Sequence, residues 1–195
     1  MTILFTSALT HDFFDQRKIE YEESFKLISD LKYGEFLQIV ECVYQDEKKT
    51  FLDELSSNVF YSKKGYNFKN KGVNEILNIK NYLQNSSIGE NEKIIKLTGR
   101  YIFLDDFFLN TCSTEDYDII LKMDEHEQVF FGCFCAKRKV FSDFILSTDW
   151  NMVENNFICI EKIFADFIKN SEYSILKLPK INIKCNINNH DLQFL

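Results

Sequence analysis

The sequence of 195 residues has little proline and glycine, with one Pro and six Gly, so its composition is not that of a disordered or low-complexity chain. It has no apolar run near the roughly 20 residues that a membrane-spanning helix needs. The Walker loop, G-x-G-x-x-G, H-E-x-x-H and repeated C-x-x-C pairs are also absent from the sequence. These absences exclude a P-loop, a dinucleotide-binding fingerprint, a zincin site and a zinc ribbon.

The residues that are abundant indicate a folded protein with one substantial core. Hydrophobic residues make up 45% of the chain, and 20 residues are Phe. A chain of this length fits one domain of ordinary size. The net charge of -7 and the pI near 5.1 argue against a nucleic-acid partner, which would require clustered excess Lys and Arg. The first residues lack the basic region and the length of a signal peptide, so we expect a cytoplasmic location.

Strand and helix signals alternate through the first half of the chain. Short runs rich in Ile, Val and Phe predict strands, and apolar residues at helical spacing predict helices. Such alternation is typical of a parallel sheet with right-handed crossovers. The sequence therefore predicts one α/β domain over residues 1–195, with a hairpin in its second half. The predicted strands are 3–9, 35–44, 59–61, 93–104, 118–123, 128–136 and an edge strand after residue 179, and the predicted helices are 14–31, 51–55, 72–85 and 155–169.

A glycine and an arginine lie near the end of the predicted strand 93–104. About two dozen residues earlier, Asn70, Lys71 and Gly72 open the helix that leads into this strand. Glycine allows a ligand to approach the backbone, arginine supplies a planar set of donors, and lysine supplies a point charge. Gly99 and Arg100, together with Lys71, therefore predict a phosphate site at one edge of the sheet.

A structural interpretation of the same basic residues stays open. In this alternative Lys71 and Lys96 are solvated surface residues, and Arg100 forms an ion pair with Asp105 or Asp106, which lie close by in the sequence. Spacing alone does not decide between a ligand site and an ordinary ion pair.

Two segments of the chain, Lys69–Glu75 and Lys96–Tyr101, carry a family resemblance. They resemble an NKG-x-NE helix followed by a K-x-TGRY strand in glycosyltransferases of bacterial surface-polysaccharide clusters and large DNA viruses. The resemblance implies a GT-A-like fold, a Rossmann-like mixed sheet flanked by helices. Residues 1–104 would then bind a nucleotide-sugar donor, and residues 105–195 would shape the pocket for a glycan or glycolipid acceptor. The lysines between residues 63 and 71 leave peripheral membrane contact open.

The resemblance also implies which residues hold the donor. A GT-A enzyme ordinarily carries an Asp-x-Asp at the end of such a strand, where it binds a divalent metal against the donor diphosphate. In this chain the corresponding position is Gly99-Arg100-Tyr101, so Arg100 and Lys71 are expected to replace the charge of the metal. The donor-binding residues implied in this way are Thr6, Ser7, His11, Arg17, Lys71, Gly72, Glu75, Lys96, Gly99, Arg100 and Tyr101.

A literal Asp-x-Asp lies later in the chain, at Asp116-Tyr117-Asp118. Paired carboxylates of this kind bind Mn²⁺ or Mg²⁺, which makes Asp116 and Asp118 the ligands in a metal-dependent variant of the reaction. Short acidic triplets are also common on protein surfaces, so a solvated loop is the competing interpretation. No other cofactor is indicated.

Transfer of a sugar to a hydroxyl group requires a base, which is usually an Asp or Glu in a cleft. The candidates are Asp149, Glu154 and Glu161, which lie before or within the late predicted helix. Trp150, the single tryptophan, follows Asp149 and is a candidate for stacking against a sugar. Each of these carboxylates is equally compatible with an ordinary position at a helix end or on the surface.

Two other function classes remain open. A chain of 195 residues is short for a glycosyltransferase, and a non-catalytic nucleotide-sugar-binding module would show similar sequence features. A metal-dependent phosphate hydrolase centred on Asp116 and Asp118 is the second alternative. It predicts strict metal dependence without a sugar preference.

Overall fold

The central feature of the structure is a mixed sheet of seven strands with helices packed on both faces. The computed structural model describes residues 1–9, 14–43, 50–62, 66, 68–124, 127–187 and 191–194. In chain order the helices are α1 (Phe14–Asp30), α2 (Leu52–Leu55), α3 (Lys71–Asn85), α4 (Phe107–Thr114), α5 (Arg138–Ser147), α6 (Trp150–Asn155) and α7 (Ile160–Lys169). The strands are β1 (Thr2–Ser7), β2 (Leu37–Glu41), β3 (Val59–Tyr61), β4 (Lys93–Thr98), β5 (Tyr101–Phe103), β6 (Ile119–Met123), β7 (Val129–Lys137), β8 (Ile175–Leu178), β9 (Ile183–Ile187) and β10 (Asp191–Phe194).

The order of the strands places a crevice between β1 and β4. The sheet runs β3-β2-β1-β4-β7-β6-β8; β3, β2, β1 and β4 are parallel, and β7 is antiparallel to both of its neighbours. From β1 the chain continues to β2 on one side, and it later returns through α3 to β4 on the other side. Ligands of open α/β sheets bind outside the carboxyl ends of the strands at such a reversal of order.

Helix α3 begins beside this crevice, and it confirms the predicted helix 72–85. Its N-cap is Asn70, whose side chain accepts hydrogen bonds from the amides of Gly72 and Val73. Val73, Ile76 and Leu83 recur at helical spacing and are buried in the core. The cap and the apolar face together fix where the helix starts relative to the sheet.

The predicted strand 93–104 is two strands, β4 and β5, so the prediction of one continuous strand is wrong, and Gly99 and Arg100 follow the end of β4. β4 ends at Thr98, Gly99 and Arg100 form a turn, and β5 joins β9 and β10 in a separate sheet of three strands. Gly99 packs against the rings of Phe5 and Tyr21, and a Cβ atom at this position would lie 2.6 Å from the Phe5 ring. Packing therefore requires the glycine, and the cation that follows it lies in a turn.

Two hydrophobic cores lie on the two faces of the sheet. One contains a cluster of aromatic rings from β7, α5 and α7, which accounts for part of the high phenylalanine content: Phe131, Phe134, Phe141, Phe144 and Phe164. The other core includes residues of α1 and α4. None of the described helices is long and apolar enough to cross a membrane.

Helices α4 and α5 are missing from the predicted elements. The last five residues of α4 include Asn, Thr and Ser, which have low helix propensity, but its buried face of Phe108, Leu109 and Cys112 stabilises the helix in the tertiary structure. Helix α5 follows β7 without a loop, so the sequence contains no turn signal between them. The predicted helix 155–169 is α7, which begins five residues later than predicted, at Ile160. Helix α6 (Trp150–Asn155) is also missing from the predicted elements, because Asp149 and Trp150 are expected from the sequence to lie in a turn.

Candidate functional site

A cleft of about 540 Å³ opens at the carboxyl ends of β1 and β4, where the strand order reverses. Residues from α1, the start of α3, β7 and the first turn of α7 complete its walls. Most of the residues predicted to hold a donor meet here, although they are far apart in the sequence. They are Thr6, Ser7, Arg17, Lys71, Gly72, Glu75, Lys96, Arg100 and Tyr101.

Lys96 lies in the wall of the cleft with only 1% of its surface exposed. Its Nζ atom is 3.0 Å from Oε1 of Glu75, and it donates hydrogen bonds to Oγ1 of Thr98 at 2.8 Å and to the carbonyl oxygen of Phe131 at 2.9 Å. The same atom lies 4.7 Å from the centre of the Phe131 ring. A buried charge requires partners of this kind, so the expectation of a solvated Lys96 is wrong.

Glu75 connects helix α3 to the two central strands. The hydroxyl groups of Thr6 on β1 and Thr98 on β4 both donate to Oε1, the same oxygen that pairs with Lys96. We call Thr6, Glu75, Lys96 and Thr98 the Lys96 cluster. Within the described part of the chain, Oε2 of Glu75 has no hydrogen-bond partner, and 19% of the side chain is exposed. One carboxylate oxygen of Glu75 therefore holds β1, β4 and Lys96 together, and the other is available to a ligand at the cleft.

Glu41 is a buried carboxylate at the end of β2 that the sequence analysis did not single out. It accepts a hydrogen bond from the hydroxyl of Ser7 at 2.6 Å and from the backbone amides of Leu9 at 3.1 Å and Val43 at 2.8 Å. These bonds tie together the segments that follow β1 and β2 at the edge of the cleft. The available signal was a charged residue that closes a run rich in Ile and Val.

Arg100 lines the cleft and has no carboxylate partner among the described residues. Asp105 does not pair with it, because the carboxylate of Asp105 accepts from the side chain of Asn182 at 2.7 Å and from the amide of Phe107 at 3.0 Å. Within the ranges that the structure describes, no hydrogen bond or ion pair reaches the side chain of Arg100 or that of Lys71. The expected ion pair of Arg100 with Asp105 or Asp106 is therefore not formed.

Arg17 also lines the cleft, but it has a partner. Its guanidinium lies 2.8 Å from the carboxylate of Glu20 one turn later on α1. Lys69 lines the cleft as well, and among the described residues its side chain has no carboxylate partner. The cations that have no carboxylate partner in the described part of the chain thus lie around the start of α3 and in the turn after β4.

The glycines of the predicted motif serve packing. Gly99 does not line the cleft, and its space is needed by Phe5 and Tyr21. Gly72 lines the cleft, but a Cβ atom on it would also lie 2.8 Å from the side chain of Ile160 on α7. Because Gly72 has no side chain, α3 and α7 can come into contact at this position.

Tyr21 and Cys42 in the cleft wall stay neutral at physiological pH. Burial raises the pKa of the Tyr21 phenol, whose oxygen accepts a hydrogen bond from the amide of Ala8 at 2.9 Å. Burial, together with the charges of Glu75 and Glu41, raises the pKa of the Cys42 thiol well above its ordinary value. A thiol with a raised pKa is a poor nucleophile, so Cys42 is not a catalytic candidate.

Only one of the three predicted base candidates reaches the cleft within the described residues. Glu161, in the first turn of α7, lines it, and its Oε2 atom lies 2.6 Å from the thiol of Cys159. Asp149 is the N-cap of α6, and its side chain accepts from two amides of that helix at 3.0 and 3.1 Å. Glu154 accepts from the backbone amides of Lys69 at 2.7 Å and Asn70 at 2.9 Å. Asp149 and Glu154 therefore have structural partners, and Glu161 is the candidate that the structure brings to the site.

Trp150 does not serve as a platform for a sugar. Its side chain is buried among the residues of the core, where it packs edge-on against Phe144. The indole nitrogen donates to the carbonyl oxygen of Ile145 at 2.9 Å. The expectation that a sugar stacks on Trp150 is therefore wrong.

Asp116 and Asp118 lie at the opposite edge of the sheet from the cleft. Asp118 precedes β6, which runs parallel to β4, so it lies at the amino ends of these strands. The ammonium group of Lys137 is 3.3 Å from Asp116 and 3.0 Å from Asp118, and Ser174 donates to Asp118 through its amide and its hydroxyl. The structure does not bring this pair to the predicted donor site.

The described carboxylates at the cleft do not form a set of ligands for Mn²⁺ or Mg²⁺. Glu75 pairs with Lys96, and Glu41 accepts from Ser7 and two amides. Across the residues that the structure describes, no group of three or more His, Cys, Asp or Glu side chains is arranged to hold a metal ion. The predicted contact of His11 lies outside the described residues.

Asp118 makes the stability of the protein sensitive to acid. Partial desolvation opposes ionisation, but hydrogen bonds from Ser174 and Lys137 prevail and hold the pKa of Asp118 below its ordinary value. A lowered folded-state pKa stabilises the protein above the unfolded-state pKa of about 3.9, and this contribution is lost as the pH falls through the folded-state value.

We therefore expect Asp118→Asn to lower the free energy of unfolding by about 1 kcal/mol at pH 7, with the difference vanishing near pH 2. Urea unfolding at several pH values measures it. Asp116→Asn is the matched control, because the Asp116 side chain is 91% exposed and should contribute little. Equal losses in both variants, or a loss for Asp118→Asn that persists in acid, would contradict the prediction.

Comparison with solved structures identifies the fold. A candidate glucose-1-phosphate thymidylyltransferase from Bacillus anthracis, solved in complex with a sucrose, superposes with a TM-score of 0.58 at 10% identity, covering 95% of this chain and 89% of that one. A cytidylyltransferase from Leptospira borgpetersenii gives a TM-score of 0.60 at 10% identity, covering 92% and 75%. The galactosyltransferase LgtC, solved with donor and acceptor sugar analogs, gives 0.54 at 10% identity, covering 91% and 73%.

No protein-family model matches the chain, and no curated protein matches its sequence. At these low identities the structural likeness is evidence of the fold alone. The chain therefore has a GT-A-like fold, the fold of its structural neighbours among the glycosyltransferases and nucleotidyltransferases.

Proposed function

We propose that the protein is a glycosyltransferase that moves a sugar from a nucleotide-sugar donor to a hydroxyl group of a glycan or glycolipid. The observation that carries the proposal is a pair of cations, Arg100 and Lys71, in the cleft at the carboxyl ends of β1 and β4, which have no carboxylate partner among the described residues. Sheets of this kind bind their ligands at this edge. The resemblance of the segments that contain these two residues to known glycosyltransferases supports the same assignment.

The charge of the cleft suits a diphosphate. Lys69, Lys71 and Arg100 lie at the cleft without a carboxylate partner among the described residues, and Glu161 is the acidic group that faces them without a cationic partner there. Each phosphate of a bound diphosphate carries a negative charge, so a nucleotide sugar would balance the excess of cations. The planar donors of Arg100 would bind two phosphate oxygens, and Lys71 would supply a point charge.

The sugar of the donor would lie beside the Lys96 cluster. Oε2 of Glu75, which has no described partner, would accept a hydrogen bond from a donor hydroxyl group. The buried bonds to Oε1 keep this carboxylate in position before the donor arrives. Preorganised polar groups of this kind bind without the cost of rearrangement.

In the proposed reaction Glu161 takes the proton of the acceptor hydroxyl, and the acceptor oxygen forms a bond to the anomeric carbon of the donor sugar. The bond between that carbon and the diphosphate oxygen breaks, and its electron pair leaves with the nucleoside diphosphate. Arg100 and Lys71 stabilise the negative charge that develops on the leaving group. The side chains of the cleft thus supply the charge that a metal supplies elsewhere, and no step depends on Asp116 or Asp118.

The decisive variant is Arg100→Ala. We expect it to weaken binding of the responsive nucleotide sugar by about 10- to 100-fold, since a charge-assisted hydrogen bond contributes about 1.5–3 kcal/mol. Thermal shift with UDP, GDP, CMP and dTDP sugars identifies the donor, and calorimetry measures its affinity. Lys26→Ala removes a charge from an exposed position on α1 and should leave the affinity unchanged.

Two outcomes would contradict the assignment of Arg100. One is an affinity that is equal in the Arg100→Ala and Lys26→Ala variants. The other is transfer that survives Arg100→Ala and vanishes in EDTA, since this result would return the role of the diphosphate-binding charge to a metal.

The same panel separates the alternative functions. Binding of a nucleotide sugar without transfer or hydrolysis would indicate a non-catalytic binding module. Release of pyrophosphate from a nucleoside triphosphate and a sugar 1-phosphate would indicate a nucleotidyltransferase, the activity named for two of the similar structures. A phosphate hydrolase centred on Asp116 and Asp118 is disfavoured, because Lys137 and Ser174 already satisfy these carboxylates.

A further inference from the structure

A second cavity, of about 810 Å³, lies beside the cleft, where it is lined by α7 and by β6, β7 and β8. Glu161 lines both the cleft and this cavity. Because Glu161 belongs to the first turn of α7, the two spaces meet at the amino end of that helix. The carboxylate proposed as the base therefore borders two binding spaces.

The charges of the second cavity differ from those of the cleft. Among the residues that the structure describes, its lining has three lysines and three carboxylates, all exposed to solvent at its rim, and Lys169 lies 3.4 Å from Glu127. An anionic ligand would meet as much repulsion as attraction from such a lining. A hydroxyl group both donates and accepts hydrogen bonds, so it suits a rim of alternating ammonium and carboxylate groups. These six residues are Glu127, Glu161, Lys162, Asp166, Lys169 and Lys177.

The inner wall of the cavity is apolar. Met123, Val129, Ala165, Ile168 and Ile175 contribute to it, and each is buried or half-buried. A pyranose ring presents C–H groups on its faces and hydroxyl groups around its edge. An apolar wall with a rim whose described charges sum to zero therefore matches a neutral carbohydrate, and the volume lies within the ~300–1,000 Å³ of typical ligand sites.

We propose that the second cavity is the acceptor site and that the acceptor is a neutral carbohydrate, whose reacting hydroxyl lies beside Glu161. That this carbohydrate is the acceptor of the reaction rests on the proposed function. That a carbohydrate binds in this cavity does not depend on it. The arrangement places the proton acceptor between the two substrates, where the reaction described above requires it. Lys162 and Lys177 donate to the other hydroxyl groups of the sugar.

Two methionines allow a direct test of binding. Met123 lines the second cavity, and Met152 lies outside it in a groove along α6 and α7. In protein labelled with ¹³C at the methionine methyl groups, methyl glycosides of glucose, galactose and N-acetylglucosamine are titrated into the millimolar range. We expect at least one glycoside to shift the Met123 signal saturably and leave the Met152 signal in place. Galacturonate should bind more weakly than the galactoside.

Ala165→Phe should abolish the Met123 shift, because the larger ring fills the cavity from α7. Ile163→Phe is the matched control on the other side of the same helix, since Ile163 lines the outer groove and not this cavity. Lys177→Ala, at an exposed position, should weaken glycoside binding severalfold and keeps the test open if Ala165→Phe does not fold. Binding of a nucleotide sugar in the cleft should be unchanged in all three variants.

The results separate this inference from the proposed function. A Met123 shift without any response to nucleotide sugars would support a carbohydrate site but contradict the proposed glycosyltransferase function. Response to nucleotide sugars without a saturable Met123 shift from any glycoside would overturn the acceptor site and leave the donor site intact. A shift confined to Met152, or tighter binding of galacturonate than of the galactoside, would also overturn the inference.

Discussion

A Glu161→Gln variant should transfer sugar about 10²- to 10⁴-fold more slowly than the unmodified protein and bind the nucleotide sugar with the same affinity. The amide has nearly the same shape as the carboxylate but cannot take the proton of the acceptor hydroxyl. The residues proposed to hold the diphosphate, Arg100 and Lys71, lie on other elements and are unaffected. Single-turnover rates measure the chemical step, and calorimetry measures the affinity for the donor.

Asp149→Asn is the control for Glu161→Gln. Asp149 is also a predicted base, but its side chain caps α6, and asparagine caps helices about as well as aspartate. Its transfer rate should therefore equal that of the unmodified protein. A full rate in Glu161→Gln, or an equal loss in both variants, would remove Glu161 from the role of base. A loss of donor affinity that accounts for the whole effect would assign Glu161 to binding instead.

The position of the cleft follows from sequence because it depends on the order of elements. Alternating signals from residue 3 to residue 98 predict parallel strands, and the carboxyl ends of such strands meet at one edge. Thr6, Lys71 and Arg100 are thus brought to one cleft, as their sequence positions indicate. The fold class depends on the same alternation and is likewise confirmed by the structure.

The partners of individual charges could not be predicted, because they come from distant parts of the chain. Lys96 pairs with Glu75 across 21 positions and with the carbonyl of Phe131 across 35. Strand β4 is buried on both faces along most of its length. The alternation of apolar and polar residues that distinguishes a buried from a solvent-facing side chain is therefore missing around Lys96. Glu154 has the residue type of a catalytic base, and only the tertiary structure reveals that it accepts from amides 85 and 84 positions away. Asp149 is different, because it accepts from two amides of the helix that it caps.

The Lys96 cluster yields the second large effect, which is on stability. Glu75→Ala should lower the free energy of unfolding by about 3 kcal/mol, because it leaves the ammonium group of Lys96 buried without its counter-charge. The 19% exposure of the Glu75 side chain places the expected loss at the lower end of the usual range for a buried ion pair, about 3–5 kcal/mol. Urea unfolding followed by circular dichroism measures the loss.

A second substitution distinguishes the unpaired charge from a loss of packing. Lys96→Met removes the buried charge and keeps a side chain of similar length, so Glu75→Ala combined with Lys96→Met should be more stable than Glu75→Ala alone by about 2 kcal/mol. If the two substitutions instead destabilise additively, the cost comes from lost contacts and the ion pair does not organise the site. If the double variant recovers stability and still fails to bind a nucleotide sugar, Glu75 serves both as the counter-charge of Lys96 and, through its second oxygen, as a contact of the donor.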